Sequence, residues 1–252
     1  MPIRLHESFE GRRLGISFLK LSNFSIGRDL ERAINSIQSA IDKPPVGVGR
    51  RIIQQFEYMK KDRELYLSVI VEVPIKIREL VVGGEEIEIK ERTDYYTSKI
   101  QAIIRMEKNY IVIFAQNQKE VKEFTNYLRE LTVMKLNPVS IQIAPEKVRK
   151  IVKEFETIQQ LKITIKSADS ISFIRFSGDD LLGSPIVREI LSDEKNEISE
   201  IAGIKSLSYD NQIKLHLNNK GRLWIYKNPE EINTEDIYNL LRDFEKTSLG
   251  EE

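Results

Sequence analysis

The spacing of apolar positions along the chain alternates between a helical and an extended period, and the switches divide it into elements. Residues 29–41 place Leu30, Ala33, Ile34, Ile37 and Ile41 on one helical face. Residues 119–132 do the same with Val121, Phe124, Leu128 and Leu131. Pro145 suits a first helical turn and leads Val148, Ile151, Val152, Phe155 and Ile158 along a third stripe. Asn233 or Thr234 would cap a fourth helix through Ile237, Leu241 and Phe244, and Ser184-Pro185 opens a shorter one ending near Ser192.

Between the helices the period falls to two. Leu65–Val73, Ile87–Lys90, Leu161–Lys166 and Ile213–Leu217 alternate as half-buried strands do, and Tyr110–Phe114 is a short apolar run. Asn219-Lys220-Gly221 is a turn signal before Leu223–Tyr226. The strands come in runs, which predicts antiparallel pairing and not βαβ crossovers.

An offset of 113 residues lays the two halves over each other. Ile100, Ala102 and Ile104 fall on Ile213, Leu215 and Leu217; Tyr110–Ile113 falls on Leu223–Tyr226. The helix face Val121, Phe124, Leu128, Leu131 falls on Thr234, Ile237, Leu241, Phe244, and Asn126, Leu128 and Arg129 meet identical residues at 239, 241 and 242. The expectation is an α+β protein of two similar halves, each an antiparallel sheet covered by helices. An N-terminal extension over 1–28 precedes halves at 29–136 and 139–252, with the seam near Leu136-Asn137-Pro138. Any two hairpin-plus-helix units share some of this pattern. The element order resembles that of TATA-binding-protein-like and other helix-on-sheet folds, and order alone implies no function.

Composition removes several chemistries. The 252 residues contain no cysteine and two histidines, which leaves no thiolate site, disulfide or cysteine nucleophile and little for a histidine metal site. A chain of this length buries roughly 70–75% of its unfolded surface without such staples. The first residues lack the basic start and apolar core of a signal peptide, and no apolar run approaches the ~20 residues of a membrane helix. A cytoplasmic protein without membrane contact is expected, and no cofactor is called for.

Four constellations merit chemical consideration. Glu88-Ile89-Lys90 has the Glu-x-Lys spacing of Mg²⁺-dependent nucleases, with Asp62, Glu72 or Asp94 as a partner carboxylate. The same spacing arises in any alternating strand rich in Lys and Glu, where the charges face solvent, and that reading is preferred. Asp179-Asp180 and Asp193-Glu194 are carboxylate pairs of the kind that hold a hard cation, yet fit polar turns better. Lys43–Arg51, with two prolines and two glycines, lacks a Walker ending and reads as a linker or a phosphate-facing loop. His6 and His216 have no evident partner, and Trp224 and Tyr226 read as sheet-face or core residues.

Charge adds the main functional clue. The 39 basic and 39 acidic side chains cancel, but residues 1–61 hold 11 basic against 6 acidic, and residues 168–252 hold 10 against 17. The expected activity is a non-catalytic binding module, an accessory subunit of a nucleoprotein complex. Arg12, Arg13, Arg28, Arg32, Lys43, Arg50, Arg51, Lys60 and Lys61 would meet a nucleic-acid backbone irrespective of sequence. The acidic end would meet a protein partner. The alternatives are the nuclease using Glu88 and Lys90, and a structural protein whose ends pair in a homo-oligomer.

Overall fold

Strict alternation in Leu65–Val73 sends every second side chain to one face, and Leu65, Leu67, Val69, Val71 and Val73 are all buried. The computed structural model describes residues 13–22, 24, 28–42, 50–83, 86–166, 171–193, 195–208, 211–227 and 233–249. The chain is α+β, with a large antiparallel sheet and five α-helices among these residues, so the expectation of a separate sheet in each of two halves is not met. It divides into two units, the first within residues 20–139 and the second formed by 13–19 and 140–249. No helix among the described residues is long and apolar enough to cross a membrane.

In chain order the elements are β1 (Leu14–Leu21), α1 (Arg28–Asp42), β2 (Arg51–Met59), β3 (Glu64–Gly83), β4 (Glu86–Arg105), β5 (Tyr110–Phe114), α2 (Gln118–Leu131) and β6 (Pro138–Ser140). They continue with α3 (Pro145–Val152), β7 (Thr157–Lys166), β8 (Ile171–Ser177), α4 (Pro185–Ser192), β9 (Glu197–Ser208), β10 (Asn211–Asn218), β11 (Arg222–Tyr226) and α5 (Thr234–Leu249). β1 lies within the stretch read from sequence as an extension.

The first unit orders its strands β2-β3-β4-β5, a meander with every neighbour antiparallel. α1 packs on β2, α2 on β3 and β4, and the two helices touch. Leu30, Ala33 and Ile37 of α1 are buried, whereas Ile41 is exposed, so the apolar stripe outlasts the contact by one turn. α2 opens with a capping box. The Asn117 side chain accepts from the Lys119 and Glu120 amides, and the Glu120 carboxylate returns to the Gln116 and Asn117 amides. β3 and β4 pair over their full 20 residues, but β2 ends opposite Val71 and β5 opposite Gln101. The remaining hairpin is a two-stranded arm about 35–40 Å long.

The second unit orders its strands β1-β11-β10-β9-β7-β8, again all antiparallel. α3 and α5 pack on each other and on β9, and a 3₁₀ turn at Leu181–Gly183 packs on β7 ahead of α4. Leu215, Leu217 and Leu223 of the sheet, Ile151 and Phe155, and Leu240 and Phe244 of α5 enclose a cavity of about 20 Å³, room for one water. The Phe18 and Phe244 rings stack with centroids 4.4 Å apart. The third helix stops at Val152, short of the stripe expected through Phe155 and Ile158. The Glu156 amide donates to Ile204 O, and β-branched Thr157 and Ile158 continue as strand. Phe155 and Ile158 are still buried, so the apolar positions were right and the element was not.

The two meanders share a detail. β2 shifts register against β3 between Ile53 and Gln55, and β7 shifts against β9 between Ile158 and Gln160. Ile53-Gln54-Gln55 and Ile158-Gln159-Gln160 are the same triplet at the same place, a bulge in the first strand after a helix. The final hairpins correct the 113-residue alignment. Ile104 faces Ile111, and Leu217 faces Leu223, so beyond the turn the matching offset is 112. A slip of one residue exchanges faces, and the 113-residue offset sets buried Ile111 on Trp224 where an offset of 112 sets it on buried Leu223.

Candidate functional site

Because α3 and α5 cover the face of the second sheet that carries Leu215, Leu217 and Leu223, the alternate residues form its other face. Register fixes which of them lie side by side. One row across the strands runs Arg222, Asn218, Glu200, Lys162, Arg175; the next runs Gly15, Trp224, His216, Ala202, Gln160, Ser177. Tyr226 and Lys214 sit beyond the second row, and Thr164 and Phe173 beyond the first.

Glu200 is the centre of this face. Its carboxylate lies 3.1 Å from Lys162 Nζ, 3.5 Å from Arg175 Nη2 and 3.6 Å from His216 Nε2. Lys162 also stands 4.9 Å from the Phe173 ring centroid. The His216 and Trp224 rings stack at 4.9 Å, and the Arg222 guanidinium lies 4.9 Å over Trp224 from its own strand. Burial holds the His216 pKa below its ordinary 6.5, with Arg175 adding to the effect and the Glu200 carboxylate opposing it. Half-buried Lys162 and exposed Arg175 flank Glu200, and exposed Lys214 lies further along β10 opposite Ile204, while Glu197 and Glu156 at the margins are tied to Gln142 and Asn219 and to Ser206 and Gln212.

Phe173 is 67% exposed and Tyr226 40%. The face thus sets aromatic rings among cations on hydrogen-bonded strands. The strand alternation already placed His216 outward between Leu215 and Leu217, whereas Trp224 reads from sequence only as a sheet-face or core residue. Lys162, Arg175, Lys214, Arg222 and Phe173 were missed as a set, because β8 joins the sheet beyond β7 and no local pattern discloses that order.

The basic residues singled out from the sequence are distributed differently. Arg12 and Lys43 lie outside the described residues. Arg13 is exposed and belongs to the second unit; Arg28 and Arg32 are exposed on α1 of the first. Arg50 and Arg51 stand at one end of β2, and Lys60 and Lys61 are exposed in the turn after its other end. Nine residues of strand separate these pairs by about 30 Å. Arg51 is engaged with α2: it pairs with Glu130, lies 3.5 Å from Glu123 and stands 5.6 Å from the Tyr127 ring centroid. Burial raises the Tyr127 pKa against the pull of that guanidinium.

The other constellations have structural partners. Lys90 lies on the arm opposite Glu79, flanked by the pairs Arg78–Glu91 at 2.7 Å and Arg92–Glu79 at 3.3 Å; the Glu88 side chain is outside the described set. Glu72, opposite Thr97, is seven register steps from Lys90, about 23 Å. Asp94 accepts from the Tyr95 amide, and Asp62 is exposed in the β2–β3 turn. Asp180 caps the 3₁₀ turn through the Leu182 amide and Asp193 accepts from the Lys195 amide, while His6 and Glu194 fall outside the described residues. No group of three or more His, Cys, Asp or Glu side chains placed to hold a metal ion occurs among the described residues. Comparison with protein families finds no match, and comparison with curated proteins finds none.

Proposed function

We propose that the protein is a non-catalytic binding module that holds a nucleic-acid backbone, as an accessory subunit of a nucleoprotein complex. The observation that carries the reading is one sheet face on which Lys162 and Arg175 meet at Glu200 beside Phe173, with Trp224, Lys214 and Tyr226 on the same face. Cations fixed on strands meet successive phosphates with little ordering cost, because the backbone that carries them is already rigid. Glu200 keeps Lys162 and Arg175 in place until phosphates compete for them. Arg13 is exposed in the same unit, and Arg28, Arg32, Arg50, Lys60 and Lys61 are exposed in the other. The surplus of acid in residues 168–252 would serve a protein partner.

The module itself reads as a duplication: helix, four-stranded antiparallel meander, helix, with β8 and α4 inserted in the second copy. The shared Ile-Gln-Gln bulge supports it, as do first and last helices that touch in each unit.

Two charge-reversed variants test the site. Arg175→Glu with Lys214→Glu should abolish retardation of a labelled oligonucleotide at low salt, and Lys60→Glu with Lys61→Glu should weaken it far less. The reverse order would move the site to the first unit, and no retardation of wild type would remove the reading. Engagement of about three to five phosphates gives a log–log salt slope of about −2 to −4 on single strands.

A further inference from the structure

We infer that the nucleic acid held on this platform is single-stranded, with unpaired bases stacked on Phe173 and beside Trp224; the inference rests on the backbone-binding reading above. A duplex keeps its base faces inside the stack and offers a flat protein surface only phosphates and groove edges. Phe173, Trp224 and Tyr226 would then remain idle among the cations. Bases of a single strand have free π-faces, and stacking is indifferent to which base is present.

The rings are placed for this. Phe173 is the most exposed aromatic on the face at 67%, and Lys162 Nζ stands over one side of its ring at 4.9 Å, so a base stacks on the other side with a cation across the ring for the next phosphate. Trp224 is held by His216 at 4.9 Å and Arg222 at 4.9 Å, with Gly15 opposite it in register. A ring fixed in this way loses little freedom when a base arrives. From β8 to β11 is four strand steps, about 19 Å, and the two rings are offset by about 13 Å along the strands. Lys162, Arg175 and Gln160 lie in the span between. The site therefore holds about four to six nucleotides, the lower part of the range for sheet platforms. The shared chemistry of unpaired DNA and RNA is what the rings select, and the 2′-hydroxyl is a matter for the experiment's separate arms.

The experiment compares labelled probes by fluorescence anisotropy on the full chain at low salt. The probes are a ten-residue oligothymidylate, a ten-residue oligouridylate, an abasic deoxyribose-phosphate strand of equal length, and a ten-base-pair duplex. Either or both base-bearing single strands should bind at least about tenfold more tightly than the abasic strand and the duplex. Phe173→Ala should weaken them by about 5- to 100-fold and leave the abasic strand unchanged, and Phe173→Tyr should restore them. Equal binding of abasic and base-bearing strands overturns the single-strand inference and leaves the backbone reading standing. Failure of every probe to bind removes both. If Phe173→Ala leaves oligonucleotide binding intact and instead converts a sedimenting dimer to monomer, β8 is a self-association edge and the inference is overturned.

Discussion

Gly203 has no room for a side chain. A Cβ there would stand 2.1 Å from Thr157 O and 2.9 Å from the Phe155 ring, so backbone would have to yield at the β7 bulge. Gly203→Ala is expected to cost about 3 kcal/mol in urea unfolding, at the upper end for overpacking; an unchanged midpoint would show that β7 and β9 are not apposed as described. His216 is the residue whose surroundings were least legible. Its place between Leu215 and Leu217 put it on the polar phase, but its partners come from β7, β8, β9 and β11, which are distant in sequence. Burial lowers its pKa, so the folded state takes up a proton less readily than the unfolded chain. The stability linked to the neutral ring is present above pH 6.5 and is lost as pH falls through 6.5 toward the folded pKa. The stability difference between wild type and His216→Gln should therefore decline from pH 7.5 to pH 5. A difference that grows on acidification would mean that Glu200 dominates and the shift has the opposite sign.

Elements with a long apolar period were readable from the sequence because the pattern and the packing agree. α2 buries Val121, Phe124 and Leu128, and α5 buries Ile237, Leu241 and Phe244. Phe124→Ala and Ile237→Ala should each cost about 2–5 kcal/mol, as large buried side chains do when truncated. Asn117→Ala, which removes the acceptor for two amides at the start of α2, should cost about 1–2 kcal/mol. Boundaries set by long-range pairing were not readable. α3 ends early because β9 supplies a partner for Glu156, and β1 sits in an apparent extension because β11 supplies one for Leu14–Ser17. The bulges escaped notice because Gln54 and Gln159 look like ordinary strand residues. Each is the extra residue that keeps the apolar phase in register. Deleting Gln159 would require buried Leu161 and Ile163 to exchange faces with Lys162. Circular dichroism should then show the loss of a cooperative transition, and retention of one would contradict the bulge.

At the scale of the whole chain, formal neutrality conceals a local arrangement. Residues 168–252 are acidic in sum, yet Arg175, Lys214 and Arg222 from that stretch share one sheet face. Linear charge counts point to the N-terminal region and do not register which strands become neighbours. The same pairing brings Trp224, the sole tryptophan of the chain, onto that face against His216, where its emission reports on the site. The most direct measurement is Trp224 fluorescence during titration with a ten-residue oligothymidylate at about 20 mM and then at about 500 mM salt. A saturable change in emission at low salt, reversed at high salt as counterions displace the phosphates, is the predicted result. Emission that stays constant at low salt while the oligonucleotide is bound by the protein would contradict it, because binding would then lie away from the platform around Glu200.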